Sequence, residues 1–147
     1  MKKRSLVSQA GLLAIFALFI WSNPSTAYAQ GWDNSTGEWR YLDSADNVVS
    51  DAWRKSGDTW YYLGEDGNMV KDATVSVNDD TFYLDTNGAM VKNRWVSVKN
   101  DDAGSDWYYF GNEGKAYKGK EGRVYTYEIE GKRYLFDEEG VMQTGYF

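Results

Sequence analysis

Rings, rather than nucleophiles, are the side chains this sequence supplies in number: 7 Trp, 12 Tyr and 6 Phe in 147 residues. It contains no His and no Cys. A His-based triad, a Cys nucleophile, a disulfide framework and a Cys/His zinc site are therefore excluded. The remaining candidates for chemistry are carboxylates, and three adjacent pairs stand out: Asp79-Asp80, Asp101-Asp102 and Glu138-Glu139. Paired carboxylates can cleave a glycosidic bond, and a spaced set can hold calcium. Each pair falls in a polar stretch that reads as a turn, with none of the spaced ligands or the terminal Glu of a calcium loop, so these are read as solvated turns. No catalytic residue, metal or cofactor is expected. Aromatic faces, by contrast, make good binding surfaces, and a chain with room for one domain carries more of them than its core needs.

Residues 1–29 read as an address. Lys2, Lys3 and Arg4 precede an apolar run from Ala10 to Trp21, then come Pro24 and the small-residue signature Ala27-Tyr28-Ala29. This is the layout of a secretory signal peptide, with cleavage expected after Ala29. The apolar run falls short of the roughly 20 residues that span a bilayer, so no membrane span is expected after cleavage. Cleavage takes the net charge from −6 to −9, because the segment holds three basic and no acidic residues. With a sequence pI near 4.6, nucleic acid and anionic membranes are poor partners. An acidic exported chain without cysteine suits a Gram-positive-type cell surface.

From residue 30 to 147 the chain repeats itself. Trp39-Arg40-Tyr41-Leu42, Trp60-Tyr61-Tyr62-Leu63, Thr81-Phe82-Tyr83-Leu84, Trp107-Tyr108-Tyr109-Phe110 and Arg133-Tyr134-Leu135-Phe136 are counterparts. Each is followed by Asp46, Gly67, Gly88, Gly114 or Gly140, and then by Val48, Met69, Met90, Ala116 or Met142. Ahead of the first four lie Trp32, Trp53, Thr74 and Trp95. The units run at about 31–50, 51–71, 72–92, 93–118 and 119–147, the fourth lengthened near Asp101 to Ser105. Thr144-Gly145-Tyr146-Phe147 reads as the restart of a further unit.

Each unit predicts two short strands and two turns, with Asp66-Gly67 or Asn87-Gly88 supplying a positive φ. One such hairpin is marginal in water, so the units must stack. The prediction is an all-β solenoid of about five stacked hairpins. Strand alternation puts Trp60 and Tyr62 on one face, and Tyr61 and Leu63 on the other. Tyr61, Leu63, Phe82, Leu84, Tyr108, Phe110 and Phe136 are the expected packing residues.

Gly31-Trp32, Gly37-Glu38-Trp39-Arg40-Tyr41-Leu42, and Trp53 followed by Gly57-Asp58-Thr59-Trp60-Tyr61-Tyr62-Leu63 and Gly67-Asn68-Met69 resemble the choline-binding, or cell-wall-binding, repeat family. The resemblance covers essentially the whole chain after the signal segment and is clearest in units 1, 2 and 4. It implies a hairpin solenoid that holds a secreted protein on choline or phosphocholine residues of wall teichoic acid. It also implies ligand sites between consecutive hairpins, made of two Trp from one repeat and a Tyr, often with a Met, from the next.

Carried over, the resemblance implies a first cage of Trp32, Trp39 and Tyr62 and a second of Trp53, Trp60 and Tyr83, with Met69 and Met90 as candidate floors. The third cage is expected to be lost, since Thr74 and Thr81 fill both Trp slots and only Tyr109 is left. The fourth has Trp95 and Trp107, but Leu135 stands at the ring position and Tyr134 is expected to face away. A quaternary ammonium has no N–H to donate, so ring quadrupoles bind it, each face contributing ~0.5–2 kcal/mol. The function expected is a non-catalytic, secreted, cell-wall-binding module. The alternatives are an α-glucan-binding repeat module, in which rings stack on sugars, and a targeting part of a wall hydrolase or adhesin.

Overall fold

A computed structural model describes residues 30–144 of the chain. The expected signal segment and the last three residues of the expected restart lie outside the described residues. Five antiparallel hairpins follow one another: β1 (Gly31–Asp33) with β2 (Arg40–Leu42), β3 (Ala52–Ser56) with β4 (Thr59–Leu63), β5 (Ala73–Val77) with β6 (Asp80–Leu84), β7 (Arg94–Lys99) with β8 (Ser105–Phe110), and β9 (Tyr125–Ile129) with β10 (Lys132–Phe136). A short β11 (Met142–Gln143) adds to β10. No helix occurs among the described residues, and the sheets stay separate rather than closing into a barrel. The all-β hairpin solenoid read from the sequence is the fold.

Aromatic and β-branched residues favour the strands, and the turns are set by side chains that replace missing backbone partners. After β2, the Asp43 carboxylate accepts from the N–H groups of Ala45 and Asn47 at 2.8 and 2.9 Å. Asp85 repeats that arrangement after β6, and after β10 Asp137 accepts from the N–H of Val141. Where the corresponding residue is Gly64, Asp66 substitutes by accepting from Asn68. The lengthened fourth unit adds its residues between β7 and β8, where Asn100 accepts from Gly104 N–H and donates to Asp106.

Each turn sends the chain back against its own hairpin. Val48, Met69, Met90 and Ala116 each bridge the last residue of the preceding strand, namely Leu42, Leu63, Leu84 and Phe110. Met142 pairs with Phe136 in the same way. The returning segment also reaches the previous hairpin: the N–H groups of Met69, Met90 and Ala116 donate to the carbonyls of Trp39, Trp60 and Thr81 at 2.7, 2.8 and 2.8 Å. Successive units are thus sewn together by backbone, whatever their side chains.

The core runs along this stack. Leu63, Leu84, Phe110 and Phe136, the last residues of four successive second strands, are fully buried. Burying each side chain stabilises by roughly 1.5–3 kcal/mol. Phe82 is also buried, whereas Tyr61 and Tyr108 are half-buried. A Cβ on Gly88, whose φ is +80°, would lie 2.5 Å from the Met69 sulfur, and one on Gly114 would lie 2.8 Å from Met90 Cε. The turn of one unit therefore rests directly on the methionine of the unit before it.

Candidate functional site

Register decides which rings meet. Trp53 is directly opposite Tyr62, and Lys55 is opposite Trp60, so these four share one face of the second hairpin. Tyr61 and Leu63 occupy the other face. The Tyr61 face turns back towards the first hairpin, where Tyr61 meets Trp32 with ring centroids 5.4 Å apart and planes at 74°. The Trp53 face turns forward, and Trp53 meets Phe82 of the third hairpin at 5.0 Å and 71°.

Two clefts result. The first, of about 340 Å³, is lined by Trp32, Trp39, Ser56, Tyr61, Met69 and Asn87. Trp32 and Trp39 stand nearly perpendicular, 83° apart with centroids at 6.5 Å, and form a corner. Met69 closes one side, its backbone tied to Trp39. The second cleft, of about 300 Å³, is lined by Trp53, Trp60, Phe82, Met90, Glu113 and Lys115. Met90 is tied to Trp60 as Met69 is to Trp39. Trp39 and Trp60 are 40% and 37% exposed, so each keeps a face towards solvent. Such a cleft suits a compact apolar group, a cation bearing methyls in particular.

This corrects the third wall of each expected cage. Tyr62 and Tyr83 line neither cleft; their places are taken by Tyr61 and Phe82, one residue earlier. Tyr62 instead packs on Trp53 within its own hairpin, centroids 5.0 Å apart. Tyr83 is buried, and its hydroxyl donates to Asp72 at 2.5 Å. Burial first, and the Asp72 bond second, push the Tyr83 phenol up to about 12. Trp32, Trp39, Trp53, Trp60, Met69 and Met90, the other residues carried over from the resemblance, line the two clefts. Missed entirely were Asn87, Glu113 and Lys115, contributed by the unit two further along. The turn register was readable, but no single pair of repeats reveals a third one reaching in.

At the third junction, threonines do replace both tryptophans. The neighbouring Tyr83, Val91, Val96, Phe110 and Ala116 form an apolar cluster. Tyr109, expected to remain there alone, packs instead on Trp95 and Tyr117, at 5.2 and 5.1 Å. At the fourth, Tyr134 does not turn away: it meets Trp95 at 4.7 Å, and Phe136 stacks on the same indole at 5.8 Å. Tyr134 and Leu135 do alternate in facing, and the Tyr134 face is the one that points backward. Trp95 is ringed by three aromatics, while Trp107 stands 46% exposed.

The first two junctions of this stack of β-hairpins thus hold paired indoles, and the stack is a hairpin solenoid. Residues 49–95, from the end of the first unit to the start of β7, match the choline-binding repeat family. The resemblance seen in the sequence holds, and this segment carries that repeat. Among solved structures, choline binding protein F from Streptococcus pneumoniae is similar, at 29% identity and a TM-score of 0.56 over 81% of this chain and 36% of its own. A truncated alternansucrase from Leuconostoc mesenteroides shares the fold, at 18% identity and a TM-score of 0.56 over 78% of this chain and 10% of its own. The chain spans about a third of the length of choline binding protein F. No curated protein matches it. Among the described residues no helix is long and apolar enough to cross a membrane.

Proposed function

We propose that this chain is a non-catalytic module that docks on choline residues of cell-wall teichoic acid, on the surface of a Gram-positive-type cell. The observation that carries the reading is the pair of clefts at successive junctions, each with two Trp, a further ring and a methionine. Ring faces attract a quaternary ammonium through their quadrupoles, and the thioether and ring edges receive its methyl groups. The match to choline-binding repeats and the likeness to choline binding protein F support the same ligand. Two weak sites side by side on one stack engage one polymer by avidity.

Choline titrated into the full chain, followed by Trp fluorescence, tests this. Saturable quenching or a spectral shift is expected, together with retention on a tertiary-amine resin and release by choline. A folded protein that shows neither response is not a choline module. Retention on dextran that choline does not displace would instead favour sugar stacking.

A further inference from the structure

The two clefts differ in one respect that their rings do not predict. Asn87 borders the first and Glu113 the second, each the residue before a turn glycine, Gly88 and Gly114. Two residues after Glu113 stands Lys115, also in the second cleft, whereas the residue two after Asn87 is Ala89, which does not line the first. A neutral turn residue thus borders one cleft, and a carboxylate and an ammonium border the other.

Lys115 Nζ lies 2.8 Å from Asp80 Oδ2 but 3.9 Å from Glu113 Oε2. Its hydrogen bond goes to Asp80, and the same bond is the main reason its ammonium is held above the usual lysine range. Glu113 is 72% exposed and makes no comparably close contact with that ammonium. Glu113 and Lys115 are the charges of the cleft lining, and Asp80, outside that lining, takes the close pairing with Lys115 and offsets its charge. The other cation near its rings, Lys55, sits 5.9 Å from the Trp60 centroid and is itself paired with Asp58 at 3.9 Å. That pair adds no net charge.

Resting on the choline reading above, we infer that Glu113 is the counter-charge of the Trp53–Trp60 cleft and Lys115 its brake, so that this cleft selects for the positive charge of its ligand. The Trp32–Trp39 cleft, with Asn87 in that place, selects mainly for the shape of a methyl-bearing group. A carboxylate at a solvent-exposed rim acts through Coulomb attraction screened by water and salt, so its effect is modest and falls as ionic strength rises. Lys115, 3.9 Å from Glu113, repels an incoming cation, so its removal is expected to strengthen binding.

The probe is the ratio of affinities for choline and for its neutral carbon analogue, in which a tert-butyl group replaces the trimethylammonium. The ratio is measured on the full chain in two backgrounds: Trp39→Ala, which leaves the second cleft, and Trp60→Ala, which leaves the first. With the second cleft alone, Glu113→Gln is expected to lower the ratio about two- to fivefold at low salt, the range of exposed ion pairs. The drop should shrink at high salt, and Lys115→Met should raise the ratio. With the first cleft alone, Glu113→Gln should change nothing, whereas Asn87→Glu should raise the ratio. If Trp39→Ala unfolds the chain, Glu113→Gln and Asn87→Glu in the unaltered chain carry the comparison, the first lowering and the second raising the overall ratio. Unmoved ratios with choline still bound would overturn this inference and leave the choline reading standing. No choline binding by the folded unaltered chain overturns both.

Discussion

The backbone N–H of Met69 donates to the carbonyl of Trp39 at 2.7 Å, although the two residues belong to different repeats. The bond sets a floor residue of one unit against a wall residue of the unit before it. Met90 and Trp60 reproduce it at 2.8 Å. Cleft geometry and solenoid geometry are therefore the same thing: what stacks the hairpins also assembles the binding corner.

Replacing the two tryptophans of one cleft should separate binding from stability. Trp60 is partly exposed and its ring contacts few others, so Trp60→Ala should abolish the response of the second cleft while shifting stability by less than about 1 kcal/mol. Trp53 is half-buried between Tyr62 and Phe82, so Trp53→Ala should cost about 2–3 kcal/mol as well. Urea unfolding midpoints set beside choline titrations read both effects. Equal destabilisation by the two variants would contradict this division.

Turn glycines should act on clefts they do not line. Gly88→Ala forces a side chain into a left-handed backbone and onto the Met69 sulfur, for a loss of about 1–3 kcal/mol. Because Met69 lines the first cleft, that cleft should weaken while the second keeps its affinity. Gly114→Ala presses on Met90 and should do the reverse. Pocket-specific Trp fluorescence in the single-cleft backgrounds distinguishes the two patterns.

The core should respond at the junction positions. Leu84→Ala empties a fully buried site and should cost about 2–5 kcal/mol. In a stack whose units contact mainly their neighbours, the loss should open the middle hairpins first. Amide exchange should then quicken in β5 and β6 before it does in β9 and β10.

Stability should fall at both ends of the pH scale, for different groups. Hydrogen bonds from Ser35 hold Asp33 below its ordinary value of 3.8; bonds from Asn47 hold down Asp43, and bonds from Asn68 hold down Asp66. A carboxyl whose folded pKa lies below its unfolded one stabilises the fold above the unfolded value. That contribution is lost as pH falls from about 3.8 through the folded value. Tyr83 has the opposite sign: its phenol is raised from 10.0 to about 12, so its contribution is full below 10.0 and disappears as pH climbs through 12. Ultraviolet titration should show one phenol ionising last, and Tyr83→Phe should remove that step.

The sequence by itself determined the hairpins, their number and their turns. Alternating rings and apolar residues dictate a two-sided strand, and Asp66-Gly67 and Asn87-Gly88 dictate where it reverses, because both signals act within a few residues. The insertion near Asp101 was legible for the same reason, whereas Trp32, Trp39, Trp53, Trp60, Met69 and Met90 were singled out by the resemblance to choline-binding repeats. Tertiary structure alone decided which face of each hairpin turns backward. Alternation states that Tyr61 and Tyr62 oppose each other, but it is silent on which one meets Trp32. The bond from Met69 to Trp39 orients the second hairpin on the first and selects Tyr61, and the bond from Met90 to Trp60 does the same for Phe82. The small advance per unit likewise brings Asn87, Glu113 and Lys115 to clefts begun two repeats earlier, because a turn reaches beyond its immediate neighbour only once the hairpins are stacked.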